Sequence, residues 1–204
     1  LAKMEGILKV IKKIPPLVAI PTTAGTGSET TLAAVIVDSK TRHKYPINDF
    51  PLIPQYAVWD PYLTKTSPAY LTATTGMDAL THAVEAYIGN STTKETRADA
   101  TKAITLIFMN LAKAVNDPGD LDARKNMLEA AFMAGNAFSQ SYVGYVHAIA
   151  HSLGGKYNIP HGYANAVILP MILEAYGDKA TKKLAELALI SGASRDPDEK
   201  IRAQ

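Results

Sequence analysis

The sequence has 204 residues, no cysteine and five histidines, and its 21 basic and 19 acidic residues give a formal net charge of +2. Lacking cysteine, it builds no disulfide, thiolate zinc site, iron–sulfur cluster or cysteine nucleophile, and it fits a reducing, cytoplasmic setting. An apolar share of 47% and a charged share of 20% describe a chain with a core rather than a disordered one. Near-balanced charge leaves no basic footprint for nucleic acid or a membrane surface.

Lys3, Lys9, Lys12 and Lys13 ahead of the apolar run at 16–20 imitate a signal peptide, but the run is too short and no small-residue cleavage site follows. No stretch approaches 18 uninterrupted apolar residues, so no membrane-spanning helix is expected. Residues 17–20 read as a short buried strand stopped by Pro21. A Gly/Thr/Ser-rich loop covers 22–31. Residues 32–37 are β-branched and apolar, 38–41 form a turn, and 44–47 return, which predicts a hairpin with Pro46 at an edge or a bulge. Residues 48–55 read as a loop and 56–59 as another strand.

After Ser67 the pattern becomes helical. Ser67 as N-cap and Pro68 at the first helical position predict a helix start. Gly76 is expected to separate a short helix from a second one running to Gly89. Helices follow over 94–115, 121–139, 146–153 (stopped by Gly154 and Gly155), 164–176 and 179–190, with the charged run 196–202 left without a closing element. Two units are expected: a β-rich segment over 1–66 and a helical domain over 67–204.

Four histidines gather in two places. Asp78 and His82 lie four apart in an apolar helical pattern, one turn apart on one face. His147 and His151 repeat that spacing on a second helix, and His161 follows ten residues later at the start of another. A lone Asp/His pair at this spacing is most often a helix-surface hydrogen bond. Here Ala79, Leu80, Ala83, Val84, Val146, Ala148, Ile149 and Ala150 surround the five ionisable groups, and burying such groups is costly unless they are paired or hold a cation. Imidazole nitrogens and a carboxylate suit iron(II), zinc or nickel rather than calcium or magnesium. Spacing leaves open which of the four histidines stays outside the site. Phe138, Tyr142 and Tyr145 read as core packing before lining of a substrate pocket, the other reading open to them.

The loop over 22–29, Thr-Thr-Ala-Gly-Thr-Gly-Ser-Glu, follows a strand but is not a dinucleotide fingerprint. Thr30 stands where the third glycine belongs, and no clear helix opens behind it. Its hydroxyls and small residues suit contact with phosphate or ribose.

Four blocks together resemble the iron-containing (group III) alcohol dehydrogenases, in the family's order and at its intervals. They are 21–29 (Pro-Thr-Thr-Ala-Gly-Thr-Gly-Ser-Glu), 76–85 (Gly-Met-Asp-Ala-Leu-Thr-His-Ala-Val-Glu), 147–155 (His-Ala-Ile-Ala-His-Ser-Leu-Gly-Gly) and 160–166 (Pro-His-Gly-Tyr-Ala-Asn-Ala). The resemblance implies a mainly α, dehydroquinate synthase-like fold. Residues 1–66 would be the tail of an α/β NAD(P)-binding domain, and 67–204 most of an all-helical metal-binding domain. It also implies metal ligands Asp78, His82, His147 and His161, with His151 beside them as a polar or proton-relay residue. Thr22, Thr23, Thr26 and Thr31 would line the cofactor, Lys44 would reach its ribose or phosphate, and Leu63 would touch the adenosine end.

The implied chemistry is interconversion of an alcohol with an aldehyde or ketone, using NAD or NADP and iron(II), with zinc as the other candidate metal. Family members are nearly twice this long, so the sequence reads as an internal piece lacking the pyrophosphate loop and the last helices. Its exposed faces would then be covered in a dimer or higher homo-oligomer. A dehydroquinate synthase-like lyase, a zinc glycerol dehydrogenase-like enzyme and an inactive fragment are the rival readings.

Overall fold

The structure, a computed structural model, describes residues 2–11, 13–40 and 44–203. Short strands lie in the first third, and seven α-helices, with 3-10 turns and loops between them, make up most of the rest of what is described. The strands are β1 (Gly6–Ile7), β2 (Val18–Ala19), β3 (Ala33–Val37), β4 (Lys44–Asn48) and β5 (Tyr56–Ala57). The expected hairpin forms: β3 and β4 pair antiparallel, with Ala33 opposite Asn48 and Val37 opposite Lys44. Its turn begins with Asp38 Oδ1 accepting the Lys40 amide, while residues 41–43, His43 among them, lie outside the described residues. Along β3, exposed Ala33, Val35 and Val37 alternate with half-buried Ala34 and Ile36; Tyr45 and Ile47 on β4 are buried.

Pro46 is not on an edge strand, because β4 lies between β3 and β1. Two facts make the proline tolerable there. The Asp49 amide bonds the Leu32 carbonyl, so the alternation of antiparallel pairs puts Pro46 in a non-hydrogen-bonded position opposite Val35. On its other side β1 pairs only with Ile47 and Asn48, so the missing donor falls beyond the end of that strand. Of the buried strand expected at 17–20 only Val18–Ala19 forms, as β2, and it is not buried: it pairs in parallel with β5 alone in a two-stranded sheet, which leaves Leu17, Val18 and Ile20 exposed.

The helices are α1 (Ala69–Ile88), α2 (Lys94–Asn116), α3 (Leu121–Ser141), α4 (Tyr145–Tyr157), α5 (His161–Tyr176), α6 (Thr181–Ser191) and α7 (Glu199–Arg202). Helix α1 is the hub, packed against α2, α3, α5 and α6. Every residue from Asp78 to Tyr87 is buried. A helix enclosed on all sides needs small residues, and Ala79, Ala83 and Ala86 are wholly inaccessible. Helix α2 begins with a capping box in which the Thr93 hydroxyl accepts the Thr96 amide and the Thr96 hydroxyl accepts the Thr93 amide. Asp120 caps α3 by accepting the Ala123 amide.

Four boundaries differ from the sequence reading. Ser67 does not cap α1; Pro68 holds the cap position and the helix opens at Ala69. Gly76 does not divide α1. It gives room to α2 and α3, since a Cβ there would lie 2.3 Å from Leu111 Cδ1 and 3.1 Å from Met127 Cε. Helical packing on several sides outweighs the ~1 kcal/mol helix penalty of one glycine. Gly154 and Gly155 do not stop α4, which runs to Tyr157 and ends at Asn158 in the left-handed region, φ 55° and ψ 33°. Residues 196–202 do close into structure: Asp198 caps α7, and Arg202 Nε donates to the Ala185 carbonyl of α6.

The loop over 22–31 is held against the helices. A Cβ at Gly25 would fall 2.6 Å from the Thr75 carbonyl oxygen of α1, and one at Gly27 would fall 2.7 Å from Gly135 Cα of α3. Gly27 also adopts φ +57°, which favours glycine. The loop ends in a short 3-10 turn, Ser28–Thr30. None of the described helices is long and apolar enough to cross a membrane.

Candidate metal centre

Three helices converge on one spot, at which Asp78 and His147 are buried and His161 half-buried. Helix α1 brings Asp78 and His82 from adjacent turns of its most enclosed stretch. Helix α4 brings His147 in its first turn, and α5 begins at His161. The approach of α5 depends on Gly162: a Cβ there would lie 2.2 Å from the Thr74 carbonyl oxygen, so only a glycine lets the start of α5 touch α1 beside Asp78. One ligand atom each from Asp78, His147 and His161 lies within 4.8 Å of the others. Asp78 Oδ1 is 3.7 Å from His147 Nε2 and 3.5 Å from His161 Nε2. Nitrogen and oxygen ligands of a tetrahedral divalent ion at about 2.1 Å sit about 3.4 Å apart, so the donor set and spacing fit such an ion.

His82 lies against this group. Its ring stacks on His147 at 4.4 Å and on Phe138 at 4.2 Å, and its buried Nδ1 has no hydrogen-bond partner among the described residues. His151 is exposed, with its ring 4.8 Å from that of His161 and 6.2 Å from that of His147. Phe138 is thus half-buried against a site histidine. Tyr142 and Tyr145, expected in the core, are 71% and 65% exposed. They flank the turn into α4, where the chain leaves the interior.

Two polar residues that the sequence reading gave no role complete the cluster. Asn165, fully buried on α5, places Nδ2 2.7 Å from Asp78 Oδ1, 3.2 Å from His147 Nε2 and 3.3 Å from His161 Nε2. Glu85 on α1 lies 2.6 Å from His147 Nδ1 through Oε2. Both were legible as positions: Glu85 falls three residues after His82 on the same helical face, and Asn165 four after His161.

Burial and mutual charge set the protonation of these groups. Burial pushes the Asp78 carboxyl up, but the imidazoles of His147, His82 and His161 more than offset it and hold it at about 2. Burial pushes His82 down to about 3 against the pull of Asp78, so its ring is neutral at physiological pH. For His147 burial also opposes the charged form, but the carboxylates of Asp78 and Glu85 win and raise it. Glu85 is lowered: burial is overcome by His147 and by the amides of Gly144 and Val146. The site therefore holds an anion at Asp78 beside the neutral ring of His82, while the His147 ring, held toward its charged form by two carboxylates, must give up a proton to bind metal.

The residues expected to touch a cofactor are spread over the β-rich part. Thr22 and Thr26 are exposed on the loop, and Thr26 Oγ1 accepts the Ser28 amide. Thr23 faces inward, lining a small cavity with Thr64 and Arg124. Thr31 is buried, its hydroxyl directed at the carbonyls of Ser28 and Ala33. Leu63 is 43% exposed on the 3-10 turn Pro61–Thr64. The Lys44 backbone pairs with Val37, and its side chain lies outside the described residues.

Residues 72–203 match the model of the Fe-containing alcohol dehydrogenase family, C-terminal, and residues 2–61 match that of iron-containing alcohol dehydrogenase. The chain belongs to the iron-containing alcohol dehydrogenase family. Among relatives in this family, 1,3-propanediol dehydrogenase of Citrobacter freundii is 46% identical over 191 residues, 94% of this chain and 49% of the relative. A solved structure of 1,3-propanediol oxidoreductase is 43% identical with a TM-score of 0.95, covering 100% of this chain and 53% of that one. Sulfoacetaldehyde reductase from Bifidobacterium kashiwanohense, solved in complex with NAD+, is 32% identical with a TM-score of 0.82, covering 99% of this chain and 56% of that one. The chain thus spans about half the length of these iron-containing alcohol dehydrogenase relatives, and it shares their mainly helical fold with its small N-terminal β segment.

Proposed function

We propose that this chain forms the metal-binding part of an enzyme that interconverts an alcohol with an aldehyde or ketone, using NAD or NADP. The observation that carries this reading is the convergence of buried Asp78 and His147 with half-buried His161 at one point. His82 is the fourth proposed ligand: it lies against His147, it is neutral, and its Nδ1 has no partner among the described residues. When bound, a divalent ion supplies Lewis acidity at an alcohol or carbonyl oxygen, and a nicotinamide supplies the redox capacity.

The protein's part is charge, position and proton handling. Asp78 offsets the ion's charge from a dry, fixed position. Phe138 closes one side of the imidazole cluster against water by stacking on His82. His151, exposed beside His161, is placed to carry the hydroxyl proton between the site and solvent. Thr22, Thr23, Thr26 and Thr31 on the docked loop, with Lys44 and Leu63, would line the nucleotide. Thr22 and Thr26 are the better placed, because they are exposed. All five strands among the described residues precede residue 58 and α1 opens at Ala69, which supports a division into a nucleotide-domain tail over 1–66 and a metal domain over 67–204. A cytoplasmic homo-oligomer acting on a small alcohol or aldehyde completes the reading.

Elemental analysis of the chain purified without added metal, followed by titration with iron(II), zinc(II) and NAD+, tests it. One bound metal per chain is expected, lost in both His147→Ala and His161→Ala. Metal content that survives both substitutions refutes the ligand set.

A further inference from the structure

Glu85 is a buried carboxylate, 3% exposed, that meets three donors from one short segment. Its Oε2 lies 2.6 Å from His147 Nδ1 and accepts the Gly144 amide at 2.8 Å; its Oε1 accepts the Val146 amide at 2.8 Å. The partners lie 59 to 62 residues away in sequence, at the α3–α4 turn and the first turn of α4. The segment is shaped to receive it. Gly144 leaves the space, since a Cβ there would fall 2.8 Å from Glu85 Oε1. Two residues earlier, Tyr142 is held at φ 68° and ψ 178°, a region nearly reserved for glycine.

An imidazole ligates through one nitrogen, and the partner of the other decides which. An ionised carboxylate only accepts, so the atom facing Glu85 must carry hydrogen: Nδ1–H donates, and in the neutral ring Nε2 keeps its lone pair. Nε2 is also the atom that faces Asp78 and Asn165. We propose that Glu85 is the positioning residue of the centre, fixing the His147 tautomer and the place of the His147 ring while anchoring the turn that delivers it. This rests on the metal reading above. Were Glu85 only a clasp for the turn, its loss would lower stability and leave the ring's protonation pattern unchanged.

Glutamine at this position cannot satisfy three donors, because one of its two head atoms is itself a donor. Zinc(II) titration of the chain and its Glu85→Gln variant, with ring nitrogen-15 spectra of both metal-free proteins at about pH 9 where imidazole is neutral, tests the proposal. Expected are a wild-type His147 ring protonated at Nδ1 alone, a changed pattern in the variant, and zinc affinity lower by about 10- to 100-fold. A wild-type ring protonated at Nε2 overturns the proposal, even if the variant fails to fold. So does a variant with unchanged ring spectrum or unchanged zinc affinity. A wild-type chain that binds no zinc overturns the metal reading instead, while the wild-type ring spectrum still reports on Glu85.

Discussion

Asn165 Nδ2 donates to Asp78 Oδ1 at 2.7 Å, linking α5 to α1 at the centre of the proposed ligand set. The same amide nitrogen lies within 3.3 Å of both His147 Nε2 and His161 Nε2, while Asn165 Oδ1 has no partner among the described residues. One neutral amide thus faces a carboxylate oxygen and two ring nitrogens, supplying some of the positive potential that a cation would. It keeps the three groups near ligating distance without metal. Replacing Asn165 with leucine keeps the bulk and removes the donor. The metal-free chain is expected to lose about 1–3 kcal/mol, read as a lower urea midpoint, and zinc binding should weaken in the same variant.

The metal-free chain should weaken in mild acid because of His82. Its folded-state value of about 3 lies below the ordinary 6.5, so between those values the unfolded chain takes up a proton that the folded chain refuses. Stability then falls as pH drops from about 6.5 toward 3. Asp78, held at about 2 against an ordinary 3.8, adds to the loss as pH falls from about 3.8 toward 2. His147 works the other way: its raised value favours the folded state at low pH, and that contribution is lost as pH rises through it. His82→Phe keeps the stacking on Phe138 and His147 and removes the titration. Urea midpoints measured across this range should slope less in the variant, by about one proton; parallel slopes would contradict the assignment.

Tyr142 is strained and contributes little packing, with 71% of its surface exposed. A non-glycine residue in that backbone region costs about 1–3 kcal/mol, and the extra freedom of glycine in the unfolded chain returns part of it. Tyr142→Gly should therefore raise the thermal midpoint modestly. Tyr142→Ala, still strained, should not.

Two glycines should respond oppositely to alanine. At Gly162 a methyl would meet the Thr74 carbonyl oxygen, so Gly162→Ala should push α5 off α1, carry His161 away from Asp78 and weaken zinc binding. At Gly155 a methyl meets nothing within 4 Å inside α4, so Gly155→Ala should stabilise by about 0.5–1 kcal/mol. Thermal midpoints of both variants, with zinc affinity for the first, check the pair.

The gathering of Asp78 and the histidines was legible because histidine and aspartate at four-residue spacing in apolar helices are too costly to bury without a partner or a cation, whereas the choice among the histidines rested on the family resemblance. Helix ends were less so. Gly76 and Gly154 read as breaks, because local propensity was the only information available. At Gly76 a long-range fact decides instead, the approach of Leu111 and Met127. Gly154 and Gly155 are simply carried within α4, whose end falls to Asn158. The glycine-rich loop was ambiguous for the same reason: Gly25 and Gly27 serve contacts with residues 50 and 108 positions away. Glu85 closes the block at 76–85, yet its role stayed hidden because its partners at the α3–α4 turn, like the strain at Tyr142, exist only once the helices are assembled.

The seating of that loop on α1 sets a dimension of the molecule. Gly25 rests on the Thr75 carbonyl, three residues before Asp78 on the same helix, and Gly27 rests on Gly135. Contacts made by side chains can be retuned one substitution at a time, but a backbone touching a backbone has no such adjustment. The separation between the threonines proposed for the nucleotide and the carboxylate proposed for the metal therefore behaves as a gauge block, and any change in the room between them must come from other walls.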